Sequence, residues 1–142
     1  MPLQRHGTQR RFGARPIVLS VCDSNLLASA LRNAVLARAG YAVIPVSREE
    51  QAICYLAQHE IDLVIVGHKF PSAETRRLLR RLRATKNVPV LTVYAEGPDP
   101  RIKSDEQVGA LDGPEQLLAA ASALIQHRHD PRSVAACNVA CC

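Results

Sequence analysis

Aromatic side chains are scarce in this sequence of 142 residues, which has no Trp, two Phe and three Tyr. Any core must therefore be packed by Leu, Ile, Val and Ala. No apolar run approaches the roughly 18 to 20 residues needed to span a bilayer, so no membrane is expected as a partner. The N-terminus is positively charged but no apolar h-region follows it, which argues against a secretory signal and makes the cytoplasm the expected compartment. No CxxC pair occurs among the five cysteines, and an odd count in a chain with this much apolar content argues against a disulfide framework. No GxGxxG follows the first apolar run, which speaks against a dinucleotide site. His127-Arg128-His129 and Cys137, Cys141 and Cys142 offer soft ligands, but HxH with CxxxCC is poor spacing for structural zinc, so no metal or other cofactor is expected. The terminal Cys-Cys has no prenylation context around it.

What is present fits one domain. Hydrophobic residues make up 47% of the chain, enough for one proper core and too little length for two. A formal charge of +5 permits an acidic partner without requiring one. Residues 1–15 carry Arg5, His6, Arg10, Arg11 and Arg15 with almost no apolar content and read as a basic disordered arm, more simply solubilising than nucleic-acid-binding. Residues 16–126 hold the domain, and 127–142 read as a flexible tail containing Cys and His.

Within the domain, Ile17–Val21 is a nearly continuous apolar strand started by Pro16. Asp23 or Ser24 is placed to cap a helix from Leu26, whose Leu27, Ala30, Leu31, Ala34, Val35 and Arg38 follow a three-four spacing and give an apolar stripe expected to face a core. Gly40 supplies a left-handed stop. Tyr41–Val46 is a strand whose Pro45 places it at a sheet edge. Ser47 to Glu50 reads as a capping box, Ser47 as N-cap and Glu50 reaching back, for a helix turning Ala52, Ile53, Leu56 and Ala57 inward. Cys22 and Cys54 fall in these periodic segments and read as buried thiols.

The organising stretch is Ile61–Pro71, a strand buried on both faces and closed by Gly67, His68, Lys69, Phe70 and Pro71. Pro71 and Ser72 start a helix with Leu78, Leu79 and Leu82 on its apolar face; its arginines, without interleaved aromatics, read as a solvated surface. Val88–Tyr94 is a further buried strand. Residues 95–107 contain two prolines and little periodicity, which argues against a full helix. Val108–Leu111 is a short edge strand, and Asp112-Gly113-Pro114-Glu115 opens a last helix buried through Leu117, Leu118, Ala121, Leu124 and Ile125. Alternating strands and helices give an α/β, flavodoxin-like doubly wound parallel sheet of five strands in the order 2-1-3-4-5, with the helix before the fifth strand shortened or lost.

Taken together, these phrases resemble a response-regulator receiver domain over roughly residues 16–126. Ile17 to Leu27 resembles the first strand and turn. Ala39 to Val43 resembles the start of the second strand, Ile61 to Val66 with Pro71 the third strand and its closing proline. Val88 to Leu91 and Gly113 to Leu118 resemble the fourth strand and the last helix start. Receivers are phosphorylated on an aspartate ending the third strand, bind Mg²⁺ through an acidic pair after the first, and keep a Thr or Ser at the end of the fourth and a Lys at the end of the fifth. By this resemblance the acceptor position is Gly67. The acidic pair falls on Val21 and Cys22, with only neighbouring Asp23 acidic. The Thr/Ser position falls on Tyr94, with Thr92 two residues earlier on the same face, and the Lys position near Ala110. One displaced aspartate is not a Mg²⁺ site. The resemblance is thus to a degenerate receiver, a pseudo-receiver.

Two functions follow as expectations. The first is a phosphorylation-independent receiver-like module, not an enzyme, acting in phosphorelay-type signalling or regulation through a protein partner, with a homodimer open and nucleic acid disfavoured. The second is a small-ligand or anion-binding flavodoxin-like domain using the strand ends around Cys22, Asp23, Gly67, His68 and Tyr94, with Asp23, His68, Lys69 and Thr92 as the mouth. No glycine-rich phosphate loop accompanies His68 and Lys69, and a lone His at a strand end is ordinarily a partly exposed polar residue.

Overall fold

The computed structural model describes residues 15–22, 26–67 and 72–129. The basic arm up to residue 14, Asp23, Ser24, His68, Lys69, Pro71 and the cysteines of the tail lie outside the described residues. Among the described residues, five strands and four helices follow in the order β1 (Ile17–Val21), α1 (Leu26–Arg38), β2 (Ala42–Val46), α2 (Glu49–Gln58), β3 (Leu63–Val66), α3 (Ser72–Thr85), β4 (Val90–Tyr94), β5 (Glu106–Gly109) and α4 (Pro114–His129). All strands are parallel, in the order β2-β1-β3-β4-β5. This is the doubly wound arrangement that the alternating pattern predicts, and between β4 and β5 there is no helix.

Side-chain alternation along the strands splits the core in two. Leu19, Val21, Val64, Val66 and Val90 face Leu56 of α2 and Leu78, Leu79 and Leu82 of α3. Val18, Leu63, Ile65, Leu91 and Val93 face Leu36 of α1 and Leu117, Ala121 and Ile125 of α4. β3 is buried on both sides because helices cover both. Pro45 lies on edge strand β2, and Gly40, at φ 103°, makes the left-handed turn out of α1.

Two carboxylates hold the sheet at its N-terminal rim. Asp62, buried, accepts from the Ile17 N–H at 2.7 Å, and Asp105 accepts from the Val90 N–H at 2.7 Å. In each case the acid's own N–H donates back, Asp62 to the Ile17 carbonyl and Asp105 to that of Val90. Each acid thus closes the first rung between neighbouring strands, one between β1 and β3 and one between β4 and β5.

Several local expectations are corrected. Most of the stripe on α1 faces outward: Leu27 is 69% and Leu31 59% exposed, and Ala30, Ala34 and Arg38 are also exposed, while Val35 of the stripe packs against the core and Ser29, Arg32 and Leu36 face the sheet. A three-four spacing identifies a face but not which side of the helix has the sheet. At α2 the N-cap is Arg48 with no side-chain cap bond; Gln51 rather than Glu50 reaches back, accepting from the Ser47 N–H at 3.1 Å. Glu50 is drawn instead to Arg81 at 2.9 Å, a charge-assisted pair. Ala57 and Cys54 are exposed rather than inward. β5 begins at Glu106 and ends at Gly109, two residues before the expected strand, because Asp112 folds back to accept from the Gly109 N–H at 2.8 Å and closes a turn there. That bond also means Asp112 serves Gly109 and not the start of α4. Finally, α4 continues past residue 126 to His129, and Arg128 donates to the Ile61 carbonyl at 2.8 Å.

Candidate functional site at the strand ends

Parallel strands finish together at their carboxyl ends, and the site lies there. The Cys22 N–H donates to the Val46 carbonyl at 2.7 Å, the Gly67 N–H to that of Val21 at 3.1 Å, and the Ala110 N–H to that of Tyr94 at 2.8 Å. With the register Val21↔Val66, these bonds set Val21, Cys22 and Gly67 side by side, with Tyr94 and Ala110 on the next pair of strands. Five of the positions singled out from the sequence are therefore brought together. None of the five carries a carboxylate or an amine. Asp23, His68 and Lys69 lie outside the described residues.

Beneath β1 sits a cation that sequence reasoning missed. Arg32 of α1 points inward, only 9% exposed, and its Nη2 lies 3.5 Å from both the Ser20 Oγ and the Val21 carbonyl. Ser20, fully buried, donates through its hydroxyl to Asn33 Oδ1 at 2.7 Å, and the Cys22 thiol reaches the Ser20 carbonyl at 3.9 Å. The only sequence signal was an arginine among helix residues otherwise suited to a core. A guanidinium keeps its charge at any ordinary pH, so the end of β1 carries fixed positive charge. Among the described residues, no group of three His, Cys, Asp or Glu side chains is placed to hold a metal ion.

Beside Gly67, on the α3 side of the sheet, is a cleft of about 150 Å³ lined by Ser72, Thr75, Thr92, Tyr94, Asp99 and Gln107 among others. Its outer wall is the segment 95–105 that stands where a helix would otherwise cover β4 and β5. Polar clasps fix this wall. Gln107 Nε2 donates to the Asp99 carbonyl at 2.9 Å and the Ile102 carbonyl at 3.2 Å, while its Oε1 accepts from the Asp99 N–H at 2.9 Å. Arg83 of α3 donates to the Lys103 carbonyl at 2.7 Å. Thr92, a proposed mouth residue, lines the cleft, but its hydroxyl is shared with that of Ser104 at 2.8 Å.

Among the described residues, Asp99 is the one carboxylate lining this cleft. The Arg101 guanidinium and backbone N–H hold it down to about 2, and the Ser72 hydroxyl, donating at 3.1 Å, adds to this. It is an anion fully engaged by its own loop and by the start of α3. On the far side of α3, Arg77 and Arg81 pair with Glu49 at 2.9 and 2.6 Å, and these bonds lower the Glu49 pKa. Part of the arginine-rich surface is thereby neutralised within the fold.

No family profile matches this sequence, and no curated protein does. Solved structures do match the fold. A CheY-like response-regulator receiver domain protein from Methanospirillum hungatei superposes with a TM-score of 0.71 at 15% identity, covering 81% of this chain and 97% of its own. The receiver domain of a sensor histidine kinase from Pseudomonas aeruginosa, solved with magnesium in its active-site cleft, gives 0.71 at 20% identity, covering 80% and 99%. A response regulator from Thermotoga maritima gives 0.66 at 24% identity, covering 79% and 98%. The chain has the receiver-domain fold. Among the described residues no helix is long and apolar enough to cross a membrane.

Proposed function

We propose that this chain is a degenerate receiver domain, a module of phosphorelay-type signalling or regulation that works through protein–protein contacts without aspartyl phosphorylation. One observation carries the reading. The positions that the resemblance assigns to a receiver's phosphoryl chemistry are Val21, Cys22, Gly67, Tyr94 and Ala110, which lie at neighbouring strand ends. Phosphoryl transfer needs a positioned nucleophile and neutralisation of the developing charge by metal and cation. Gly67 has no side chain to accept a phosphoryl group, and Val21 and Cys22 offer Mg²⁺ no hard oxygen side chains. The Arg32 guanidinium, 3.5 Å from the Val21 carbonyl, further disfavours a divalent cation at that end of β1. The protein works as a binding module and not as an enzyme, its partner is another protein, and its compartment is the cytoplasm.

The test is thermal unfolding with Mg²⁺ and beryllofluoride, which mimics the phosphorylated acceptor. Ligands that bind only the native state raise Tm by mass action. No shift is expected, and a clear shift overturns the proposal.

A second reading, a small-ligand or anion-binding domain, has one observation in its favour: the cleft of about 150 Å³ beside Gly67. The Ser72 hydroxyl at its rim is already given to Asp99, and that carboxylate at the wall opposes an incoming anion. The same unfolding assay with a panel of small anions and nucleotides tests it. A shift with one anion alone would favour this reading.

A further inference from the structure

The first helix is built inside out. Its sheet-facing side carries Ser29, Arg32 and Leu36, whereas Leu26 and Leu27 are 73% and 69% exposed and Leu31 is 59% exposed. On the same outward side lie Ala30, Ala34 and Ala37, all exposed. Between Leu26 and Ala37 the only charged residue is Arg32, which is turned inward. Beside the helix, a groove of about 270 Å³ runs between α1 and the start of α4, with Leu31 and Ala28 on one wall and Gly113 and Pro114 on the other. Leu111, 94% exposed, belongs to the turn that leads into this groove.

We infer that this face is where a second copy of the chain docks, α1 against α1′ in an antiparallel crossing about a two-fold axis. Two features select this occupant. The first is size. Large side chains (Leu26, Leu27, Leu31) occupy the N-terminal half of the face around the small Ala30, and small ones (Ala34, Ala37) fill the C-terminal half up to Arg38. A two-fold axis perpendicular to the helix lays each half on its opposite, so the leucines of one copy fill the hollows over the alanines of the other. This self-complementarity is what an isologous interface requires. The second is charge. Arg38, exposed, ends α1, while Glu115, exposed, follows Pro114 at the groove wall beside the N-terminal half of α1. The antiparallel crossing brings Arg38 of each copy towards Glu115 of the other and sets the α1 dipoles head to tail. A parallel crossing would stack Arg38 on its own symmetry mate. The dimer does not depend on whether the strand ends can be phosphorylated, so its test fails or succeeds independently of the proposed function.

Sedimentation equilibrium of the full chain from micromolar to millimolar concentration reads the result. A concentration-dependent species of twice the 15.5 kDa chain mass is expected. The Leu27→Glu/Leu31→Glu variant is expected to stay monomeric with an unchanged circular-dichroism spectrum, since both side chains are exposed in the single copy. Arg38→Glu should weaken the dimer several-fold, and Arg38→Glu with Glu115→Arg should restore it. A chain that remains monomeric at millimolar concentration, or a dimer indifferent to Leu27→Glu/Leu31→Glu, overturns the inference. A charge swap that fails to restore association overturns the antiparallel arrangement and the inference with it.

Discussion

The Gly67 N–H donates to the Val21 carbonyl at 3.1 Å, so a residue with no side chain lies directly against the end of β1. Gly67 is itself buried. An aspartate placed there would put a carboxylate into a rung with no carboxylate partner set for a metal. Gly67→Asp is therefore expected to destabilise the domain by roughly 2 kcal/mol or more at neutral pH. Burial raises the pKa of the new carboxyl by more than the Arg32 charge, already shared between Ser20 and Val21, lowers it, so the destabilisation should shrink as pH falls through that raised value. Tm against pH for the variant and the parent checks this, and a variant as stable as the parent at pH 7 would count against a closed, metal-free strand end.

Arg32 offers a second check, because its stem packs under β1 while its head reaches Ser20 and Val21. Arg32→Ala removes both and is expected to cost about 2 to 4 kcal/mol. Arg32→Met keeps most of the packing, leaves Ser20 bonded to Asn33, and should cost less than about 1.5 kcal/mol. Urea unfolding of the two variants separates packing from charge; equal losses would place the stabilisation in the guanidinium.

The clasp at Gln107 should control the outer wall of the cleft. Gln107→Ala leaves the Asp99 N–H and the carbonyls of Asp99 and Ile102 without that partner, at an expected cost of about 1 to 3 kcal/mol. Local release should exceed global loss, so limited tryptic cleavage after Arg101 and Lys103 should accelerate more than unfolding does. Unchanged cleavage there would show that other bonds hold the segment.

Acid should loosen the same wall. Asp99 has its pKa depressed from an ordinary 3.8 to about 2 by Arg101, so its contribution is fully present above the ordinary value and is lost as pH falls towards 2. Glu49 and Glu50, lowered by Arg77 and Arg81, follow the same sign. Glu50 is exposed while Asp99 and Glu49 are half-buried, so raising the salt concentration should weaken the Glu50 contribution most. Side-chain amide signals of Gln107, followed by NMR from pH 5 to pH 2, should move with the Asp99 titration; signals that stay fixed would detach Asp99 from the wall.

The sheet order was legible because each strand is a short branched apolar run and each edge carries a mark: Pro45 in β2, shortness in β5. The missing helix was legible from Pro98 and Pro100, which cannot donate to a helical ladder. Orientation was not. On α1 the more apolar stripe faces out, because Ser20 on the central strand draws Asn33 and Arg32 inward with hydrogen bonds that no spacing rule contains. The clasp of Gln107 on Asp99 was hidden for a similar reason, since neither residue belongs to a motif and the two meet only once β5 is paired. At the site, Val21, Cys22, Gly67, Tyr94 and Ala110 could be placed because parallel strands end in step, and a strand's end can be read from its apolar run.

The most direct measurement is intact-mass spectrometry of the full chain after incubation with acetyl phosphate and Mg²⁺. The account predicts an unchanged mass at every time point. A stoichiometric phosphoryl adduct that is labile to hydroxylamine, as an aspartyl phosphate is, would contradict it.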